Sequence, residues 1–228
     1  MDDALRAAGS PERAANERRY LKSSLEHYGV TVPAIRKIAR AEWGDGWDRA
    51  ELLATVEALW ARPVHECRMA AVELLELGSA LLCAGDVELL ERLLRESRTW
   101  ALVDGLAASV VGPLVEREPS LGPTLDRWAA DDDFWLRRSA LLALLGPLRR
   151  GGGDWERFAR YADSMLEERE FFIRKAIGWV LRDTSRKRPD LVADWLEPRA
   201  ARASGVTVRE AVKHLPEGRR ERILARRA

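Results

Sequence analysis

The chain has 228 residues and only two cysteines, Cys67 and Cys83. Two thiols cannot build a four-thiolate zinc or iron–sulfur centre. A disulfide between them would be out of place in a reducing cytosol. No apolar run reaches the ~20 residues that a membrane helix needs, and residues 1–30 lack the apolar segment of a secretory leader. A cytoplasmic protein is therefore expected. No stretch alternates apolar and polar residues for long enough to read as a strand. The signatures HExxH, GxxxxGK[ST] and GxSxG are all missing, which removes the commonest zinc-hydrolase, P-loop and serine-hydrolase chemistries. The three histidines, His27, His65 and His214, show no ligand spacing. They read as surface or hydrogen-bonded residues, and neither a metal nor any other cofactor is expected. Cys67 reads as a small buried apolar residue rather than a nucleophile.

What is present is helical. Hydrophobic residues make up 46% of the chain and charged residues 33%, a globular balance. Apolar residues recur at three- and four-residue spacing, as in Leu89, Leu90, Leu93, Leu94 and in Leu141, Leu142, Leu144, Leu145. Ser10-Pro11, Thr31-Val32-Pro33 and Arg62-Pro63 read as helix starts. Gly44-Asp45-Gly46, Gly85-Asp86 and Gly151-Gly152-Gly153-Asp154 read as turns leading into N-caps. Between these breaks lie roughly a dozen helices of ~10–18 residues, in a succession repeating about every 35–40 residues. The expected fold is all-α: an α-solenoid of antiparallel helix pairs, HEAT-like, with a concave basic face. It forms one domain over 1–228 of roughly six pairs, ending in a basic segment at 219–228. A bundle of another topology is the competing fold.

The near-zero net charge conceals an asymmetry. Residues 1–136 carry 16 Lys and Arg against 24 Asp and Glu, a net −8; residues 137–228 carry 22 against 13, a net +9. Such a split points to a polyanion as the partner of the second half. Lysine is scarce, with Lys22, Lys37, Lys175, Lys187 and Lys213 the only five among 38 basic residues. The arginine excess suits bidentate phosphate contacts.

Tryptophan is enriched, with nine residues. Trp60, Trp128 and Trp195 sit in amphipathic stretches beside leucine and read as packing. Trp100 and Asp104 are four residues apart and share a helix face. Taken alone, such a pair is more often a core indole with a solvated carboxylate. The small residues of Gly105-Leu106-Ala107-Ala108 allow a neighbouring backbone or a ligand to approach. Around Trp179, Lys175 lies four residues before and Arg182 three after, so two cations and an indole run along one face. Phe134-Trp135 precedes Arg137-Arg138, and Arg209 and Lys213 are four apart. Basic helix faces interleaved with aromatics are what nucleic-acid binding asks for.

These segments also carry a family resemblance. Trp100–Asp104, Phe134-Trp135-Leu136-Arg137-Arg138 and the run Phe171-Phe172-Ile173-Arg174-Lys175-Ala176-Ile177-Gly178-Trp179-Val180-Leu181-Arg182 resemble the DNA alkylation repair family, the HEAT-like-repeat DNA glycosylases of AlkD type. Arg209-Glu210-Ala211-Val212-Lys213-His214 is similar to the family's C-terminal helix. Tyr20-Leu21-Lys22 with Gly29-Val30 and Pro33 is similar to its N-terminal region. The resemblance covers about residues 15–215, in order. It implies a monofunctional enzyme that removes cationic N-alkylated purines, such as 3-methyladenine and 7-methylguanine, from double-stranded DNA. By match of motif, Asp104 corresponds to the catalytic carboxylate, and Trp100 and Trp179 to the aromatic pair facing the lesion's deoxyribose. Arg138 corresponds to a basic residue near the lesion's backbone and Tyr20 to an N-terminal tyrosine near the same cleft; Lys175, Arg182, Arg209 and Lys213 are carried over as possible phosphate contacts. Thr99 and Ala101 stand where family members often carry Trp and Asp. A monomer is expected, cytoplasmic and nucleoid-associated when bound to DNA, without membrane attachment. Two other readings stand beside this one: a non-catalytic binder of DNA structure, and a protein-interaction scaffold.

Overall fold

The computed structural model describes residues 1–227. Among these every regular element is helical, and extended backbone pairs only at an isolated parallel bridge between Glu26 and Val64. No helix among them is long and apolar enough to cross a membrane. By internal packing the chain divides into two compact units, Met1–Leu114 and the remainder from Val115 on.

The first unit contains α1 (Asp2–Ala7), α2 (Pro11–Leu21), α3 (Val32–Trp43), α4 (Arg49–Trp60), α5 (His65–Leu77), α6 (Val87–Ser97) and α7 (Trp100–Gly105). A π-helical stretch, Leu106–Val111, follows and leads into α8 (Gly112–Arg117), within which the division falls. Helix α5 is its centre: Cys67, Ala70, Leu74 and Leu75 are fully buried, and α3 and α4 both pack on it. Several expected starts are where the capping chemistry puts them. The Ser10 hydroxyl accepts the Arg13 amide and Thr31 accepts that of Ala34, each ahead of a proline in the first turn. Helix α4 is capped by Asp48 rather than by the Gly44–Gly46 turn itself, in a full capping box with Glu51. Helix α5 starts later than Arg62-Pro63, because the backbone there is spent on the bridge. The Glu26 amide donates to the Pro63 carbonyl at 2.8 Å, and the His65 amide to that of Glu26 at 2.9 Å.

The second unit contains α9 (Gly122–Ala129), α10 (Phe134–Leu142), α11 (Leu145–Arg149), α12 (Trp155–Ser164), α13 (Phe171–Ser185), α14 (Pro189–Leu196), α15 (Gly205–Ala211) and α16 (Glu217–Ala225). Asp154 caps α12 through the Arg157 amide. Helix α13 is the axis, with Ile173, Ile177, Val180 and Leu181 buried and α10, α11, α14 and α15 packed against it. The basic C-terminal segment is largely ion-paired: Arg219 meets Asp190 and Asp194, and Arg226 meets Glu197.

The repeat is visible in the side-chain ties. In the first unit Arg36 bonds Glu73 (37 residues on), Arg49 bonds Asp86 (37) and Trp60 bonds Glu96 (36). In the second, Arg149 bonds Asp183 (34), Lys175 bonds Glu210 (35) and Arg199 bonds Asp163, 36 residues earlier. A polar side chain on one repeat thus reaches the equivalent surface of the next, as stacked supersecondary units require.

Trp60, Trp128 and Trp195 are buried, as expected. So is Cys67; burial and a hydrogen bond to Asp2 push its thiol up to about 12, which leaves it unreactive at neutral pH. The expectation is corrected for His27 and His65, while His214 lies at the surface as expected. His27 and His65 are buried and stacked, 4.6 Å between ring centres and 9° between planes.

Candidate functional site

In the first unit the site is built on the start of α7. Thr99 takes an extended backbone, and its hydroxyl accepts the Ala101 amide at 3.4 Å. The cap starts the helix so that Trp100 is its first residue. Thr99→Ala is expected to cost about 1 kcal/mol, read as a lowered thermal midpoint. Trp100 is a third exposed, and the far more exposed Tyr20 of α2 stands edge-on to it, 6.2 Å between ring centres and 87° between planes. Such a T-shaped pair holds each ring by the edge-to-face attraction and leaves the rest of the indole surface open. Asp104, half-buried, comes one turn after Trp100 on the same helix.

Beside the aromatic pair lies a cavity of about 300 Å³. Trp100, Ala101, Gly105 and Ser109 supply one wall, and Tyr20 and Met69 supply others. The small residues after Asp104 thus serve two ends: they let α7 and the π-helical stretch lie against α5, and they open the cavity. Asp104 is not among the lining residues. The charged lining is mainly acidic, with Glu17, Glu73 and Glu76 against Arg36. Arg36 and Glu73 form a bidentate pair at 2.8 and 3.0 Å, and Glu17 pairs with Arg13, so both are compensated and the surplus is Glu76. An aromatic surface with a negative surplus favours a cation.

The floor reaches His65. Burial and then the neighbouring His27 push His65 down to about 4. Burial also lowers His27, despite the opposing charges of Glu66 and Glu17. Glu66, fully buried, holds the loop that follows α2: its carboxylate accepts the amides of Tyr28 at 2.9 Å, Gly29 at 2.6 Å and Val30 at 3.2 Å. Gly29 has φ +78°, and a Cβ there would fall 2.1 Å from the Ser10 carbonyl oxygen and 2.5 Å from the Ala14 amide nitrogen. Only glycine lets this loop lie so close to α2.

The second unit gathers the other expected residues around two carboxylates that sequence reasoning overlooked. Lys175 and Lys213 reach one oxygen of Glu210 at 3.2 and 3.0 Å, and Arg182 reaches the other. Burial would push Glu210 up, but the hydrogen bonds and charges of Lys213 and Lys175 pull it down to about 2. Arg182 also donates to Asp183 at 3.1 Å, as does the Trp179 indole N–H, while Arg149 adds a bond at 2.9 Å. Trp179 is therefore held by its nitrogen edge, half-buried, with its orientation set by Asp183.

The Lys175–Arg182 face is thus a packed contact with α15 whose cations share a carboxylate. Gly178 makes this possible. A Cβ there would come within 2.8 Å of the Glu210 Cβ and 3.2 Å of the Thr207 Cα. Gly178→Val is expected to destabilise the protein by about 1–3 kcal/mol through overpacking, and calorimetry should read a lowered melting point.

Arg138 is buried, 4% exposed. It donates to the Phe172 carbonyl, with its guanidinium 5.9 Å from the centre of the Phe172 ring, so it ties α10 to the first turn of α13. Arg137 forms a bidentate pair with Glu168 at 3.0 Å on both arms. Arg209 is exposed on α15. The structure accordingly brings Tyr20 and Trp100 together in the first unit, and joins Lys175, Arg182 and Lys213 through Glu210 in the second. Asp183 could have been found from its position one turn after Trp179, and Glu210 from its position one repeat after Lys175.

Comparison with known proteins sets this geometry in context. A family model described as DNA alkylation repair enzyme matches residues 1–215. Among solved structures, the chain is similar to a predicted DNA alkylation repair enzyme from Enterococcus faecalis, at 23% identity and a TM-score of 0.81, covering 92% of this chain and 97% of that one. It is also similar to AlkD2 from Streptococcus mutans, at 19% identity and a TM-score of 0.62, covering 90% and 98%. At these identities the likeness establishes the all-α helical-repeat fold. No curated protein matches the chain significantly.

Proposed function

Because this chain belongs to the family of DNA alkylation repair enzymes, we propose that it is a DNA glycosylase that hydrolyses the N-glycosidic bond of cationic N-alkylated purines in double-stranded DNA. The observation that carries this reading is the T-shaped Tyr20–Trp100 pair, with Asp104 one turn along the same helix and an acidic surplus in the adjoining cavity.

The chemistry suits these residue types. A purine alkylated at N3 or N7 is already cationic. When its bond to C1′ breaks, the bonding pair neutralises the ring and the base departs without prior protonation. Positive charge then builds on the deoxyribose. The Asp104 carboxylate stabilises that oxocarbenium-like state and orients a water, whose oxygen bonds to C1′ and whose proton is lost to Asp104 or solvent. The Trp100 face attracts the same developing charge, worth about 0.5–2 kcal/mol. A cationic lesion needs no enclosed pocket to supply a proton, so the base can remain loosely held.

On this reading Tyr20 and Arg209, both exposed, meet the DNA backbone, and the Lys175–Arg182–Lys213 cluster supplies phosphate contacts. Trp179 takes its role from the motif match, and Arg138 acts by fixing the Phe172 segment. The protein acts as a monomer, in the cytoplasm and on the nucleoid. The test is incubation with duplex DNA methylated at purine nitrogens, with chromatography of the released bases. Release of 3-methyladenine or 7-methylguanine supports the reading. Tight, salt-dependent binding without release favours a non-catalytic binder of DNA structure, and absence of DNA affinity favours a scaffold.

A further inference from the structure

Helix α2 presents an unusual problem: none of its residues is buried. An exposed helix of this kind needs ties other than a hydrophobic face. One tie is the close backbone approach at Gly29. The other is a polar cluster that the sequence does not announce, because its members come from three separate segments. Glu17 of α2, His27 of the following loop and Glu66 of α5 each present one donor atom, all within 4.8 Å of one another.

The cluster has the properties of a built site. His27 is 9% exposed, and neither of its ring nitrogens has a hydrogen-bond partner among the described residues. Buried ring nitrogens are rarely left so. Glu66 is fixed by three backbone amides: one oxygen accepts two, and the other accepts only that of Tyr28, which leaves it a lone pair. Glu17 is steadied by an ion pair with Arg13 one turn earlier. Ligand side chains held in place by such outer contacts are the usual form of a metal site. His65 stacks on His27 and fixes the plane of its ring. Access is provided by a cavity of about 290 Å³, lined by Ala14, Ala15, Arg18, Glu26 and His27. Two carboxylates and one imidazole, at ~2.0–2.2 Å from each donor, suit a borderline divalent ion with open positions, with Arg13 beside Glu17 and Arg18 at the mouth offsetting part of the negative charge.

We infer that Glu17, His27 and Glu66 form a binding site for one divalent transition-metal ion of the zinc or manganese class, which clamps α2 to the loop after it and to α5. Donors of a tetrahedral ion lie ~3.4 Å apart, so closure asks for shifts of at most about 1 Å. The consequence reaches the aromatic pair. Glu17 lies one turn before Tyr20, so an ion at Glu17 holds Tyr20 in place against Trp100. The inference stands whether or not the chain is a glycosylase.

The test is calorimetric titration of the metal-stripped full chain with Zn2+, and separately with Mn2+. It uses a C83S/H214Q background, which removes the exposed cysteine and histidine as competing ligands. One equivalent should bind, and exchange of α2 amide hydrogens should slow. His27→Ala and Glu17→Gln should each weaken binding on the order of 100-fold. Glu66→Gln is avoided because it would also release the Tyr28–Val30 loop; Glu17→Gln leaves that loop's contacts intact. Absence of a one-equivalent site in the background protein, or unchanged affinity in both variants, overturns the inference. Base release from methylated DNA is scored separately and decides neither outcome.

Discussion

Asp104→Asn is expected to lower the rate of alkylpurine release about 10²–10³-fold while duplex affinity and thermal stability stay near wild type. The substitution keeps the size and polarity of the side chain and removes only the charge. If that charge stabilises the developing sugar cation, the loss falls on kcat rather than on binding. Trp100→Phe should give a smaller loss, because a phenyl face keeps part of the cation–π attraction. A structural role for Asp104 would show the reverse pattern: a lowered melting point with catalysis per folded molecule unchanged.

Glu210→Gln is expected to tighten binding to duplex DNA and to make it more dependent on salt. In the free protein Glu210 engages Lys175, Arg182 and Lys213. It is held at about 2, so it remains an anion at every working pH. On the proposed reading, a phosphate must compete with it for each of these cations. Removing the charge frees them, and each added phosphate contact steepens the log–log salt slope by about 0.9, or about 3-fold in affinity between 50 and 200 mM salt.

The same substitution has an opposite effect on folding. The folded value of Glu210 lies below its ordinary 4.5. Its ion pairs therefore contribute stability that is fully present above that pH and is lost as pH falls through about 2. Glu210→Gln should melt below wild type at neutral pH, and the gap should close across that acid range. A melting gap that does not change with pH would show that the carboxylate is not the source of the stability.

Much of the fold was legible because helical periodicity and capping residues are local properties. Ser10, Thr31, Asp86 and Asp154 mark starts that the folded chain uses. Arg62-Pro63 misled because its backbone pairs with Glu26, a long-range event with no local trace. The π-helical stretch after Asp104 was likewise unreadable, since its apolar spacing resembles that of an α-helix. In the site, Trp100 and Asp104 were legible from one-turn spacing; resemblance put Tyr20 near the same cleft, but its contact with Trp100, which joins residues 80 positions apart, had no trace in the sequence. The cations around Trp179 were legible from one-turn spacing, whereas Glu210, which organises them, meets Lys175 only across 35 positions of sequence. His27 and His65 looked scattered for a related reason: the chain brings them together only where Glu26 pairs with Val64, next to each of them in sequence.

The most direct measurement is a time course of the wild-type protein on duplex DNA carrying 7-methylguanine, following free base and abasic sites together, with borohydride present in a parallel reaction. Equal amounts of free 7-methylguanine and abasic sites, with no borohydride-trapped protein–DNA adduct, are predicted. Duplex binding with no released base, or a trapped adduct, would contradict the hydrolytic glycosylase proposed for this chain.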